Sequence, residues 1–133
     1  MQSSSAQVVA AASILNYQQA ANATTRSAVR AFAKLHERLG SYDDIMIVLS
    51  VFSRSPEGLG ETVSRAIAGR CNVSAISRAT GIPRETVRRR TKHLTATGVL
   101  VPEGRNFAVS TGWSENLRLF SQTIRNRFES AAA

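Results

Sequence analysis

The stretch "SRATGIPRETVRRRTKHL", from Ser77 to Leu94, sets three consecutive arginines beside apolar residues at helical spacing. With Val87 at zero and about 100° per residue, Thr91 and Leu94 fall within about 40° of it, which predicts the inner face of a helix. The opposite side is polar: Glu85, Arg89 and Lys92 point outward, with Arg84 and Arg88 on one flank and Thr86 on the other. The stretch therefore predicts a helix with a dry side and a cationic side.

Arg90 differs in direction from the two arginines before it. It falls near the border of the dry side, where its methylene stem can lie on apolar surface while the guanidinium reaches outward. We expect it to pack or to contact phosphate rather than to read bases. For the cluster as a whole, the alternative is a helix exterior that is simply solvated, which is common for an isolated basic helix.

The segments on either side of the basic helix give it a context. Asn72 is a candidate N-cap of a short helix, and Gly81 is the turn residue that separates this helix from the basic one. After the basic helix, Gly98 and the β-prone runs "VLV" and "NFAV" predict a hairpin with its turn over residues 102–105. A bracing helix, a short turn, a basic helix and a hairpin follow one another in helix-turn-helix motifs with a β-wing.

The run "VSAISRATGIPRETVRRRTKHLTATGVLV" resembles the winged helix-turn-helix of bacterial transcription regulators of the MarR, GntR and IclR kinds, with MarR-like order. The resemblance covers about residues 43–110. It implies a mainly α fold with a small β-hairpin, in which a winged helix-turn-helix over residues 41–110 is flanked by N- and C-terminal helices. The residues that carry it are Ile76, Ala79, Gly81, Ile82, Arg84, Thr86, Val87, Arg88, Arg89, Leu94, Gly98 and Leu100.

By this resemblance, a recognition helix over about residues 84–97 enters the major groove of double-stranded DNA. The wing, residues 99–110, lies on the adjacent backbone or minor groove. An arginine can bond bidentately to guanine, whereas the same arginine on phosphate gives affinity without sequence information. The alternative for Arg105, at the tip of the wing, is a solvated turn arginine. The implied DNA-binding residues are Arg84, Glu85, Thr86, Arg88, Arg89, Lys92 and Arg105.

The charge of the chain supports a polyanionic partner. Seventeen Lys and Arg residues against nine Asp and Glu give a net charge of +8 and a pI of about 11.2. Nine basic and two acidic residues lie between Arg65 and Arg105, so nearly all of the excess belongs to this one segment. Such a local excess creates a field that attracts polyanions.

The rest of the chain predicts helices. Residues 1–5 read as a disordered tail, and residues 6–133 as one domain that begins with an alanine-rich helical region over residues 6–40, either one helix or two broken near residues 22–25. A central helix over Tyr42 to Ser53 follows, then a short helix in "ETVSRAIAG". The C-terminal segment, residues 111–130, has an amphipathic stripe. Both terminal segments are candidates for a homodimer interface; the alternative is that they fold back on their own monomer.

Several classes of function find no support in the sequence. There is a single cysteine, Cys71, and neither a catalytic constellation nor a zinc-ligand spacing, so we expect no enzyme, no cofactor and no metal. No apolar run is long enough to cross a bilayer, and the N-terminus has no basic segment ahead of its apolar residues, so we expect a cytoplasmic protein. The sequence predicts a sequence-specific DNA-binding transcription regulator. The alternatives are a winged-helix protein-interaction or architectural module, or a plasmid replication or partition protein; a small-molecule effector stays open.

Overall fold

The computed structural model describes residues 2–54 and 71–132 of the chain. These residues are mainly helical with one two-stranded antiparallel hairpin, which confirms the coarse fold class predicted from the sequence. The short helix predicted within residues 61–69 lies outside the described residues. In chain order the elements are α1 (Gln2–Leu39), α2 (Tyr42–Ser53), α3 (Val73–Thr80), α4 (Arg84–Ala96), β1 (Leu100–Glu103), β2 (Asn106–Val109) and α5 (Thr111–Ala132).

The chain divides into two compact units. One unit comprises Met1–Ala33 with Phe120–Ala133, and the other comprises Lys34–Leu119. The reason lies in α1, whose 38 residues span roughly 57 Å at about 1.5 Å per residue, about twice the diameter of a small domain. One core cannot bury such a helix along its whole length.

The beginning and end of α1 follow from its residues. The helix is continuous and begins at Gln2, so it includes most of the segment that we expected to be a disordered tail. The segment lacks proline and glycine, the two residues that oppose a helix most strongly. Gly40 ends the helix with φ 78°, and its N–H donates to the carbonyl oxygen of His36 at 2.7 Å. Glycine adopts this left-handed conformation without steric cost.

Helix α2 is the centre of the second unit and contacts α3, α4 and β2. Its buried apolar side chains include Ile45, Ile47 and Val48, each at most 1% exposed, whereas Met46 is 45% exposed. Helix α2 is therefore buried where it packs against α3, α4 and β2, but not all round. The other buried apolar side chains of this unit are Leu35, Val51, Phe52, Cys71, Ala75, Ile76, Ile82, Val87, Leu94, Val99, Leu100 and Leu117.

Side chains of α3 fix the turn that leads into α4. Asn72 caps α3, because its Oδ1 accepts a hydrogen bond from the Ala75 N–H at 2.9 Å. At the other end, Gly81 has φ 75° and its N–H donates to the Ser77 carbonyl oxygen. The Ser77 hydroxyl donates to the carbonyl oxygen of Ile82 at 2.6 Å. Because Ile82 is also buried, the three residues between the helices are held from both sides.

The hairpin is tighter than the sequence indicated. Glu103 pairs with Asn106, so the connection is the two residues Gly104 and Arg105 rather than all of residues 102–105. Gly104 has φ 64° and no non-glycine residue described has positive φ, a pattern of a type II′ turn, which joins twisted strands well. Pro102 belongs to β1, opposite Phe107. In this register Pro102 and Phe107 form a non-hydrogen-bonded pair of the antiparallel ladder. The N–H that proline lacks would therefore not have bonded across the hairpin.

A contact distant in sequence attaches the hairpin to the start of α3. The Phe107 N–H points away from β1 and donates to the carbonyl oxygen of Cys71 at 3.1 Å. Helix α4 contacts β1, and α2 contacts β2. The hairpin is thereby positioned by both helices.

Helix α5 begins directly after the hairpin and contributes to both units. In the second unit, Leu117 is fully buried, and the guanidinium of Arg38 lies 4.3 Å from the ring centroid of Trp113. In the first unit, the rings of Phe32 and Phe120 meet edge to face at 5.4 Å. Among the described residues, no helix has both the length and the hydrophobicity that crossing a bilayer requires.

Candidate functional site

The inner face of α4 is the one that the sequence predicted. Val87, Thr91 and Leu94 are each at most 1% exposed. The hydroxyl of Thr91, the polar member of the three, donates to the carbonyl oxygen of Arg88 at 3.0 Å. Its burial therefore leaves no donor without a partner. This face seats α4 against α2 and α3.

The outer face of α4 displays the predicted DNA-binding side chains. All of those on this helix are exposed except Thr86, which is half-buried on the flank. At about 100° per residue they span roughly 140° of the helix circumference, so they share one side of the helix. The exposed set is Arg84, Glu85, Arg88, Arg89 and Lys92.

One ion pair lies within this exposed set. Arg88 donates to Glu85 at 2.7 Å, and the two side chains are 51% and 81% exposed. Exposed pairs of this spacing contribute at most about 1 kcal/mol. Glu85 therefore restrains Arg88 without preventing it from exchanging its partner for a phosphate or a base. No ion pair of Arg84, Arg89 or Lys92 occurs within the described part of the chain.

Arg90 does not belong to the exposed set. Its Nε donates to Oδ1 of Asp44 at 2.7 Å, and its second terminal nitrogen donates to Oδ2 of the same carboxylate. The Asp44 side chain is fully buried, whereas that of Arg90 is 28% exposed. The hydrogen bond to Asp44 raises the pKa of Arg90 further above its already high ordinary value, and partial burial opposes this. Of the three consecutive arginines, the third is thus engaged in an ion pair with a buried carboxylate.

Asp44 is the residue of this site that the sequence reasoning missed. Its place in the first turn of α2, where the helix dipole stabilises negative charge, explains a carboxylate there but not its complete burial. The available signal was its place beside Ile45 and before Ile47, in an apolar run where an acidic side chain needs a cation. Its partner could not be chosen from the sequence, because Arg90 is 46 residues further along the chain.

Two further features lie at the start of α4 and at the tip of the hairpin. Pro83 occupies the N-cap position and makes no side-chain cap, so the first N–H groups of α4 donate no hydrogen bond to a capping side chain. Arg105 is exposed at the tip of the hairpin, as predicted. Its position on a type II′-like turn holds it on a rigid two-residue connection.

The described residues give little support for metal binding or for a nucleophilic thiol. They contain no group of three or more His, Cys, Asp or Glu side chains that could hold a metal ion. Burial raises the pKa of the Cys71 thiol, and the charge of Arg54 opposes this to a smaller extent. A thiol with a raised pKa is a poor nucleophile at neutral pH.

Comparison of the chain with protein-family models, with curated proteins and with solved structures finds no match.

Proposed function

We propose that this chain is a sequence-specific DNA-binding transcription regulator that uses a winged helix-turn-helix over residues 41–110. In this proposal α3 braces α4, and α4 lies in the major groove as the recognition helix. The hairpin is the wing and brings Arg105 to the adjacent backbone or minor groove. The observation that carries the proposal is the outer face of α4, where four exposed cations stand on a helix whose opposite face is fully buried.

The composition of that face favours nucleic acid over a protein partner. Surfaces that dock proteins are enriched in aromatic side chains and depleted in lysine. The exposed residues of α4 are three arginines, a lysine, a glutamate, a histidine and an alanine, so none of them is a Phe, Tyr or Trp or a large aliphatic side chain. Arginine side chains of this kind recognise phosphates and guanine edges.

Selection of bound sites from a pool of random double-stranded DNA tests the proposal. We expect an enriched consensus whose affinity falls steeply with salt, because bound cations release counterions from the phosphates. Recovery of DNA with no enriched sequence would contradict sequence-specific regulation and would favour an architectural role.

Two matched arginine variants test whether α4 is the contact surface. Arg88 and Arg118 each pair with a glutamate three residues earlier, at 2.7 and 2.6 Å, and both are exposed. We expect Arg88→Ala to weaken specific binding about tenfold or more, the effect of losing one base or phosphate contact. Arg118→Ala, outside the motif, should change it less than about twofold. Equal losses of specific binding in the two variants would contradict the proposal that α4 is the contact surface for DNA.

We further propose that the protein binds DNA as a homodimer through the N-terminal part of α1. No side chain described between residues 4 and 33 is buried, and α1 exposes a group of large apolar side chains. Residues 1–25 contain no charged side chain. Because the chain carries +8, two copies repel each other least across this neutral surface. The exposed group is Val8, Val9, Ile14, Leu15 and Tyr17, each between 55% and 68% exposed.

A further inference from the structure

We infer that Asp44 is a positioning residue for DNA recognition, which holds α4 in the rotation that points Arg89 and Lys92 outward. The inference rests on the proposed function. It assigns a role in recognition to a carboxylate that is fully buried and that contacts no DNA itself.

The geometry of the pair constrains rotation as well as distance. The guanidinium of Arg90 is planar, and it donates from two of its nitrogens to the two oxygens of Asp44. Two parallel hydrogen bonds of this kind fix both the separation and the direction of the side chains. The Asp44 end is itself immobile, because it lies in the first turn of α2 and its side chain has no exposed surface.

A small rotation of α4 would have a large effect at its outer face. A roll of about 20° moves a Cα atom by less than about 1 Å, since Cα atoms lie about 2.3 Å from the helix axis. A guanidinium that lies about 8 Å from the helix axis moves by about 3 Å in the same roll. This displacement approaches the spacing of about 3.4 Å between successive bases of a strand. A restraint on rotation therefore decides which base an outward arginine meets.

Apolar packing alone gives a weaker restraint. Val87 and Leu94 hold α4 against its neighbours through contacts that are not directional. A buried ion pair is weak evidence for added stability, because desolvation of the charges offsets most of their attraction, and fixing one geometry is a better-supported role. The pair also removes the charge of Arg90 from the DNA-facing set.

Asp44→Asn tests the inference, because it keeps the shape of the side chain and releases Arg90. We expect the ratio of specific to non-specific affinity to fall about tenfold or more, comparable to losing one base contact. We also expect the slope of log K against log salt to steepen by about 0.9, because the freed guanidinium gains one phosphate. The matched control is Glu115→Gln, which releases Arg118 from a two-bond pair outside the motif and should leave the specificity ratio unchanged.

The double variant Asp44→Asn/Arg90→Gln separates positioning from charge. It should also lose specificity, but its salt slope should equal that of the wild type, because no cation is released. Arg90→Lys, which keeps the charge but not the planar fork, serves if either variant fails to fold, and its specificity ratio should fall as well.

The outcomes distinguish the two proposals. Variants that lose thermal stability but keep the wild-type specificity ratio and salt slope would overturn the inference and leave the proposed function intact. A wild-type chain with no sequence preference would overturn both.

Discussion

Cys71 illustrates how a single buried side chain ties stability to pH. Burial raises the pKa of its thiol above the ordinary value, so the folded chain keeps the thiol neutral at a pH where the unfolded chain ionises it. The stability that this contributes is fully present below the unfolded pKa, about 8.5. It is lost as the pH rises from there through the folded pKa.

We therefore expect the free energy of unfolding to decline above about pH 8.5, by at most about 1.4 kcal/mol per pH unit from this group. Urea unfolding at a series of pH values between 7 and 10 measures the decline. Cys71→Ala provides the control, because Cys71 is the one cysteine of the chain and other titrating groups are common to both proteins. If the free energy of unfolding declines equally in both proteins, burial does not shift the pKa of the Cys71 thiol.

For single residues, the sequence could predict which way a side chain points but not which residue it pairs with. The helical period correctly placed Val87, Thr91 and Leu94 inside and turned Arg90 toward the buried side. It could not identify Asp44 as the partner of Arg90, because a pairing across 46 residues depends on how α2 and α4 pack. Local periodicity contains no information about that packing.

At the scale of elements, the turn between α3 and α4 depends on the backbone conformation of Gly81. A Cβ at this position would meet no atom within 4 Å, so a substitution there is opposed by the positive φ of 75° alone. Gly112, in α5, also has open space around a Cβ but has no positive φ. The two glycines therefore form a matched pair that differs in backbone conformation.

We expect Gly81→Ala to lower the free energy of unfolding by about 1 kcal/mol, the strain of a left-handed residue with a side chain. Gly112→Ala should raise it by up to about 1 kcal/mol, because alanine favours helix. Urea unfolding of the two variants beside the wild type measures both effects. A Gly81→Ala protein as stable as the wild type would show that the turn adopts another conformation in solution.

Local signals made most elements predictable. Asn72 as N-cap and Gly81 after α3 are in the structure where the sequence placed them, because capping and left-handed turns depend on neighbouring residues. The turn of the hairpin was predicted too long, since proline is usually a turn residue. Here Pro102 fits within β1 because pairing with Phe107 requires no N–H. The break of α1 that residues 22–25 allowed is absent, and the hydroxyls of Thr24 and Thr25 donate to carbonyl oxygens one turn earlier within the continuous helix.

At the scale of the whole molecule, self-association is the property to measure. If the neutral surface of α1 joins two copies, Leu15→Lys should convert a dimer into a monomer, because two lysines would be brought into an apolar contact. Sedimentation equilibrium of the two proteins measures this. Met46→Lys is the matched control, since Met46 is also an exposed apolar residue but lies on α2, and this variant should remain dimeric. A wild-type chain that is monomeric at tens of micromolar would contradict the homodimer.

Pro102 bears on which assemblies the hairpin can enter. A two-stranded sheet has two free sides along which a further strand could add, and unprotected sides promote aggregation. On one side, the N–H of Phe107 is already bonded to Cys71. On the other, the outward position at the middle of β1 is a proline, which has no N–H to offer an incoming strand. The hairpin is therefore protected against edge-to-edge polymerisation, and a concentrated solution of this protein should resist fibril growth that starts there.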